Sequence, residues 1–558
     1  MKNFQKLNNI IGWVTFILAS TVYMLTIEPT ASWWDCGEYI STAFKLQVGH
    51  PPGAPLFQMI GRFFSLFAFG DVSKVAMMVN LMSALSSGFT ILFLFWTIVL
   101  FAKKLVGNEG EMTNGQMFTV FGAAFIGSMA YTFSDTFWFS AVEGEVYAMS
   151  SFFTAISFWA IMKWEEVANE KHSYRWLVLI SFLMGLAIGV HLLNLLVIPA
   201  TCMVYYYKKY KPTKVGMLLT FILSIIILAF VMFIIIPWTV ELSGKFELLF
   251  VNGFGLPFST GTTIYFMLLI SLIIWGLYYT RKKGKTVLNT ILLAFTFIMI
   301  GYSSFLMLVI RANSNPPINE NAPKDAISLL SYLNREQYGD FPIAYGQYWS
   351  APIVDYGDGK PVYQKDEKSG KYVVVDNRKG TVPIWDQRFT TLFPRMWSNQ
   401  RKGSSEFYKK WGGAGVPIEV STGDGKTETR IKPTFGENLK YFFTYQIGHM
   451  YIRYFMWNFA GRQNDIQGFG GLEEGNWISG IPFFDKMRLG HDQTNLPDSK
   501  QSRAANKYYL LPLILGLIGF FFHVNKDYKG TMIIFLLFLM TGLAILVYLN
   551  QQPYEPRE

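Results

Sequence analysis

Eleven times along this chain the sequence turns apolar for long enough to cross, or nearly cross, a lipid bilayer. The runs fall at about 10–27, 72–101, 117–133, 146–162, 176–190, 192–207, 215–237, 263–280, 287–310, 508–523 and 531–549. Lipid offers no hydrogen-bond partners to a backbone, so runs of this kind must close their N–H and C=O groups internally, as helices. That single fact excludes a soluble globular fold. It predicts a polytopic α-helical membrane protein with about eleven transmembrane helices. Composition agrees: 51% of residues are hydrophobic, 17% aromatic and only 15% charged. The fifth and sixth runs are short and nearly touch at His191, as in a tight hairpin or one broken region. The first run has no small-residue cleavage site and many spans follow it, so it reads as a retained helix and not a leader.

A net charge of +10 over 558 residues would ordinarily raise the question of nucleic acid. Here the basic residues sit in short clusters between apolar runs, the pattern that orients membrane helices. With the N-terminus inside, Lys103, Lys104, Lys163, Lys171, Arg175, Lys208, Lys209, Lys211, Lys214, Arg281, Lys282, Lys283, Lys285, Lys526 and Lys529 all fall on the inner side. The short outer loops hold little beyond Lys45, Arg62 and Lys245. This places 28–71, 134–145, 238–262 and 311–507 on the outer face. The chain then divides into a transmembrane domain with polar outer loops (1–310), a soluble insert (311–507), and a transmembrane hairpin with a short tail (508–558). The insert has the turn signals YGDGK, DNRKG and STGDGK, and runs such as KYVVVD and GVPIEV read as strands, so it is predicted to be mixed α/β. Near its end, NLKYFFTYQIGHMYIRYFMWNFAGRQND has a helical pattern and is expected on or near the membrane surface. The tail QQPYEPRE suits either an end or the start of a further region. Cys36 and Cys202 are the only cysteines, which excludes a disulfide framework or a Cys-rich metal site.

The polar residues that stand out gather at the outer ends of different spans. The first outer loop reads WWDCGEYISTAFKLQVGHPPGAPL, with Asp35 and Glu38 spaced to share a helix face and His50 ahead of two prolines. A membrane-dipping helix is predicted at about 56–69. The second outer loop, FSDTFWFSAVEGEVYAM, carries Asp135, Glu143 and Glu145. GVHLLNL adds His191 and Asn194. VIRANSNPPINENAPKD adds Arg311, Asn313, Asn315, Asn319, Glu320 and Asn321, and WNFAGRQND adds Arg462, Asn464 and Asp465. Each has a plainer structural reading. Asp35, Glu38, Glu143 or Glu145 can cap helices, Trp33 and Trp34 can form an interfacial belt, and His191 can be a satisfied core histidine. Arg311 can anchor a helix end, and the asparagines can form turns. What outweighs these is recurrence on one face, because ionisable groups at membrane depth are costly and tend to mark function.

A carboxylate beside a hydroxyl can act as general base, and a cation can stabilise a departing phosphate. That pairing suits glycosyl transfer from a lipid phosphate at the outer interface. There is no Gly-rich phosphate loop, HExxH or serine-hydrolase elbow, so nothing points to nucleotide use or zinc proteolysis. The order of WWDCGEY, GHPPGAPLF and VEGEVYAM resembles the GT-C superfamily of membrane glycosyltransferases. More narrowly, it is similar to the bacterial membrane family first catalogued as domain of unknown function 2723, related to the animal protein O-mannosyltransferases of the transmembrane-protein-260 type. By motif the resemblance covers roughly the first 200 residues. It continues through RANSNPPINENAP and YFMWNFAGRQND, but the soluble insert departs from it. It implies an inverting transferase that uses a polyprenyl-phosphate-linked sugar and modifies exported proteins. Asp35 is then the implied base, Glu38 its orienting partner, and His50 a donor or acceptor neighbour. Glu143 or Glu145 matches the acid of the second loop. Arg311 is assigned as phosphate partner from charge and position alone. His191, Asn194, Asn315 and Arg462 complete the expected substrate-binding set.

The resemblance places the chain in a bacterial cytoplasmic membrane with the insert in the periplasm. Its expected partners are the lipid-linked donor, an exported protein acceptor, membrane lipids, and the Sec translocon or other envelope proteins, with no nucleic acid. No cofactor is required, although Asp35, Glu38, Glu143 and Glu145 could bind a divalent cation if they converge. Two other readings stay open: a transferase acting on a lipid or surface glycan, and a non-catalytic subunit of a secretion assembly. A transporter is disfavoured, because its ionisable groups should gather at the midplane.

Overall fold

The computed structural model describes residues 2–107, 112–339, 341–421, 427–493 and 496–554. They form two compact units. The first comprises 1–338, 365–373 and 523–537, and the second 339–364, 374–522 and 538–558.

The first unit is helical. Its elements are α1 (Lys2–Leu25), α2 (Cys36–Lys45), α3 (Pro55–Ser65), α4 (Val75–Val106), α5 (Asn114–Thr132), α6 (Asp135–Ala141), α7 (Val146–Val167) and α8 (Tyr174–Ile188). They continue as α9 (Ile198–Lys209), α10 (Lys214–Phe230), α11 (Ile236–Leu248), α12 (Thr260–Lys282), α13 (Thr286–Tyr302), α14 (Leu306–Asn313) and α15 (Ala326–Leu333). Among the described residues, seven helices are long and apolar enough to cross a membrane. They are Asn3–Leu25, Val72–Val106, Val146–Val167, Lys214–Gly253, Thr260–Lys282, Thr286–Asn313 and Tyr528–Leu549. An eighth arises if α5 and α6, bent by 70°, act as one span. The other expected runs form shorter helices. The fifth is the 15-residue α8, the sixth is a 3₁₀ turn (Leu192–Val197) followed by the 12-residue α9, and the tenth is the 16-residue Leu511–Lys526.

The seventh run also differs from its expected end at 237. Pro237 would normally stop a helix, because it lacks an N–H and clashes with the preceding turn. Here a π-helical stretch over Val231–Ile235 absorbs the misfit, and Pro237 then sits in the first turn of α11. The helix therefore continues to Gly253.

Packing sets the stage for the outer loops. Ile40 of α2, Phe57 of α3, Val79 and Met82 of α4, Val146 and Met149 of α7 and Ala187 of α8 form one buried cluster. Burying a side chain such as Phe57 contributes on the order of 2–3 kcal/mol. Deeper in the bundle, α8 and α13 meet backbone to backbone. A Cβ on Gly185 would lie 2.4 Å from the Ile298 carbonyl oxygen, and one on Gly301 would lie 2.4 Å from Gly185. Such small-residue crossings let helices associate in lipid, where no hydrophobic effect drives them together.

The second unit contains the strands Ile353–Gly357 and Val382–Trp385, paired antiparallel, and the regular hairpin of Val416–Ser421 with Thr427–Lys432. KYVVVD and GVPIEV form strands as expected, although the first half of KYVVVD (Lys371–Val373) groups with the first unit. All of STGDGK after Ser421 lies outside the described residues, as does the tail beyond Tyr554. The helices here are α16 (Ser404–Trp411), α17 (Phe435–Tyr441), α18 (Arg453–Phe459), α19 (Pro482–Leu489), α20 (Leu511–Lys526), α21 (Tyr528–Thr541) and α22 (Leu543–Leu549), with α20 and α21 shared between the units. The aromatic stretch read as helical is so. α17 and α18 are joined through a π-helical segment, Phe442–Ile452.

Candidate functional site

Three parts of the sequence far apart in the chain build one cluster in the first unit. Trp34 takes a left-handed conformation (φ 58°), and the chain then turns into α2 with Asp35 at its cap. Asp35 makes no capping hydrogen bond and its side chain is 59% exposed. Glu38 lies in the first turn of α2, where a helix N-terminus favours a negative charge. α2 ends at Leu46 in the left-handed region, so the chain doubles back and returns His50 to the same end.

Glu38 then holds His50 with both oxygens. Its Oε1 accepts the His50 backbone N–H at 2.6 Å, and its Oε2 lies 3.1 Å from the ring Nδ1. The far ring nitrogen, Nε2, faces Asp35 Oδ2 at 3.9 Å. For Glu38, burial pushes the carboxyl up, but the hydrogen bonds and charge of His50 win and hold it below its usual value. The His50 imidazole is raised by the Glu38 hydrogen bond, against burial, and further by the charges of Glu38, Asp35 and Glu320. The arrangement is a carboxylate–imidazole–carboxylate relay that favours a protonated ring next to an accessible carboxylate.

Gly49 makes the clamp possible. A Cβ there would lie 2.5 Å from Glu38 Oε1. Behind the clamp, the Tyr332 hydroxyl donates to the Gly49 carbonyl at 2.6 Å. The segment after α14 runs beside the loop: Val48 N–H donates to Ile318 O (3.1 Å) and Glu320 N–H to Val48 O (3.0 Å). Glu320 thereby joins the cluster, and burial together with the charges of Glu38 and Asp35 raises its carboxyl.

The second outer loop closes in from the other side. Glu28 N–H donates to Val142 O at 3.1 Å, tying the two loops together. The Cys36 thiol lies 3.7 Å from both Glu143 Oε2 and Glu145 Oε2, and both acids are buried. Glu145 caps α7. Burial raises the Glu143 carboxyl against hydrogen bonds from Ser32 and Cys36, and its Oε1 is buried with no hydrogen-bond partner among the described residues.

Asp35, Glu38 and His50 each present a donor atom within 4.8 Å of the others, the one such trio among the described residues. Oxygen and imidazole donors suit a divalent transition metal. The Glu38–His50 bond occupies Nδ1 and Glu38 Oε2, which leaves His50 Nε2 and the Asp35 carboxyl facing one another as donors.

Residues 35–214 match the model of the N-terminal domain of the protein O-mannosyl-transferase TMEM260. The protein O-mannosyl-transferase tmem260 of Dictyostelium discoideum is 29% identical over 141 residues. The TMEM260 protein O-mannosyl-transferase of Mus musculus is 26% identical over 174 residues. Over this N-terminal segment the chain is similar to TMEM260-type protein O-mannosyl-transferases. The matches cover 25% and 31% of this chain and only 15% and 22% of those relatives. Residues 339–443 match a second family, DUF8416, of unknown function. No solved structure matches the chain significantly.

The TMEM260-like segment contains Asp35, Glu38, His50, Glu143 and Glu145; the structure clusters the first three and sets the last two against Cys36, the neighbour of Asp35. It also contains His191 and Asn194, whose hydrogen bonds hold the turn between α8 and α9. His191 accepts the Leu193 N–H on Nδ1 at 3.2 Å and so caps the turn that follows. Asn194 is buried. Its oxygen accepts from Ser150 (3.0 Å) and Thr154 (2.9 Å), and its amide donates to the His191 carbonyl (2.9 Å), which locks this turn to α7.

The remaining expected residues lie outside that segment. Arg311 donates from Nε to the Leu46 carbonyl at 2.5 Å and from Nη2 to that of Lys45 at 3.2 Å, so its guanidinium caps the end of α2. Asn315 is exposed in a left-handed turn (φ 47°) after α14. Arg462 belongs to the second unit, where it bonds the Ala504 carbonyl and lies over Trp457. In the sequence, Glu320 reads only as part of an asparagine-rich turn. The signal available was an acid between NPPIN and NAPKD, next to no basic residue.

Proposed function

We propose that this chain is a membrane protein O-glycosyltransferase of the GT-C type, acting at the outer face of a bacterial cytoplasmic membrane. Its substrate would be a polyprenyl-phosphate-linked sugar, with mannose the first choice, and its acceptor a hydroxyl side chain of an exported protein. The observation that carries this reading is the exposed Asp35 carboxylate beside the clamped, protonation-prone His50, inside the TMEM260-like segment. The eleven-span topology, which puts this cluster outside, is part of the proposal.

The proposed step is a single displacement with inversion. Asp35 takes the acceptor hydroxyl proton as that oxygen attacks the anomeric carbon. The bond from that carbon to the phosphate oxygen breaks, and the electron pair leaves with the polyprenyl phosphate. His50, held charged by Glu38, stabilises the departing phosphate. This role passes from Arg311 to His50 because the Arg311 guanidinium is committed to carbonyls of α2. The step needs no metal.

The test compares glycans on exported proteins in cells carrying wild type, Asp35→Asn, or no copy, at matched membrane levels. Loss of the same glycans in Asp35→Asn and in the deletion supports the reading. Retention in Asp35→Asn but loss in the deletion places the base elsewhere. No change in either overturns the assignment as a transferase.

A further inference from the structure

The short helix α19, Pro482–Leu489, is built inside out for a helix facing water. Phe483 and Met487 are 71% and 70% exposed, and Phe484 is 44% exposed, while the ionisable Asp485 is 3% exposed. These three apolar residues sit at positions i, i+1 and i+4, one face of a helix. The opposite face is fixed from within the second unit. Asp485 Oδ1 accepts the Ser479 N–H (2.7 Å) and hydroxyl (2.9 Å), and Oδ2 accepts the Gly480 N–H (2.8 Å). Leu489, one turn further on, is buried on that same side. With Asp485 anchored so, the helix cannot roll to hide its aromatic face. Lys486 is exposed beside it.

What would cover such a face is indicated by the next segment. Tyr509 N–H donates to the Ser479 carbonyl at 3.0 Å, and Asn506–Lys507 pairs with Gly461–Arg462. Tyr509 stands two residues before α20, an apolar helix with no buried residue, whose Leu511, Leu515 and Ile518 are all more than half exposed. The loop that launches α19 is therefore hydrogen-bonded to the segment that leads directly into an apolar, lipid-suited helix. Both begin at the same place.

We propose that α19 is an interfacial membrane anchor. Phe483, Phe484 and Met487 insert between acyl chains just below the headgroups, at the point where α20 enters the bilayer, and Lys486 lies at the level of the phosphates. An amphipathic helix of this kind binds through its buried apolar area plus attraction to anionic lipid. This inference does not depend on the chemistry of the Asp35 cluster.

The test uses the full chain in phospholipid nanodiscs with Met487→Cys carrying an environment-sensitive fluorophore and with unlabelled wild type as background. The lipids bear a quencher either near the headgroup or near the chain end. The expected result is about a twofold or greater loss of emission with the shallow quencher, a smaller loss with the deep one, and protection from iodide in water. Lys486→Glu should weaken the shallow quenching in anionic lipid. A probe that iodide reaches and neither lipid quenches overturns the proposal. So does a probe protected from iodide yet unquenched by lipid, since a protein surface would then cover α19.

Discussion

Glu38→Gln is the sharpest probe of the cluster. The amide keeps a carbonyl oxygen for the His50 backbone N–H, now 2.6 Å from Oε1, but presents an NH₂ group where Oε2 meets the ring. One charge-assisted bond is lost and the other is weakened. Charged hydrogen bonds contribute about 1.5–3 kcal/mol, exposed ion pairs about 0–1. The two side chains are 26% and 22% exposed, so about 1.5–2 kcal/mol is expected, or roughly a ten- to thirtyfold rise in local opening. Hydrogen exchange over residues 36–54, as the mutant-to-wild-type ratio at each pH, reads this directly.

The pH dependence has a definite sign. His50 is raised above its ordinary 6.5, so its contribution is full below 6.5 and fades as pH climbs through the folded value. Glu38 is lowered below its ordinary 4.5, so its contribution is full above 4.5 and fades as pH drops through its folded value. The exchange ratio should therefore peak between 4.5 and 6.5 and shrink at alkaline pH. The helix-dipole effect of Glu38 does not change across the alkaline range, so it cannot mimic that decline. A ratio that is flat from pH 5 to 9, or that grows at alkaline pH, refutes the ion-paired clamp.

Two further substitutions separate the clamp from its scaffold. Gly49→Ala places a methyl 2.5 Å from Glu38 Oε1, and is expected to cut glycan transfer at least about tenfold at normal membrane levels, measured by mass spectrometry of exported proteins. Asn194→Leu strands the Ser150 and Thr154 hydroxyls, and should cost about 2–4 kcal/mol, seen as lower thermal tolerance in detergent, with transfer per folded molecule unchanged.

The sequence made some of this legible for plain physical reasons. Asp35 and Glu38 lie three apart before a helical pattern, and the left-handed turn at Leu46 was the only extra step needed to bring His50 back to them. Glu143 and Glu145 stand as a pair in the sequence, and in the structure the Cys36 thiol reaches both. Charge and position also drew attention to Arg311, but whether a guanidinium faces a ligand or a helix end depends on tertiary packing. The same limit applies to Asn194, whose hydroxyl partners on α7 are 40 and 44 residues away. Helix continuity through Pro237 was hidden because a π-helical stretch leaves no clear mark in composition.

The seam between Val48 and Ile318–Glu320, with Tyr332 bonded to Gly49, has a consequence for how the chain is made. The contact joins residues separated by 283 positions. Ribosomes add about 5–20 residues per second, so the loop at Gly49 waits roughly 15–60 s after its own synthesis before its other half is made. During that interval Asp35 and His50 lack the segment Ile318–Glu320 and the tyrosine that brace their turn. The nascent chain therefore carries an unbraced polar cluster while most of its long apolar helices have already been made, and the last of them, Tyr528–Leu549, follows after the cluster is complete.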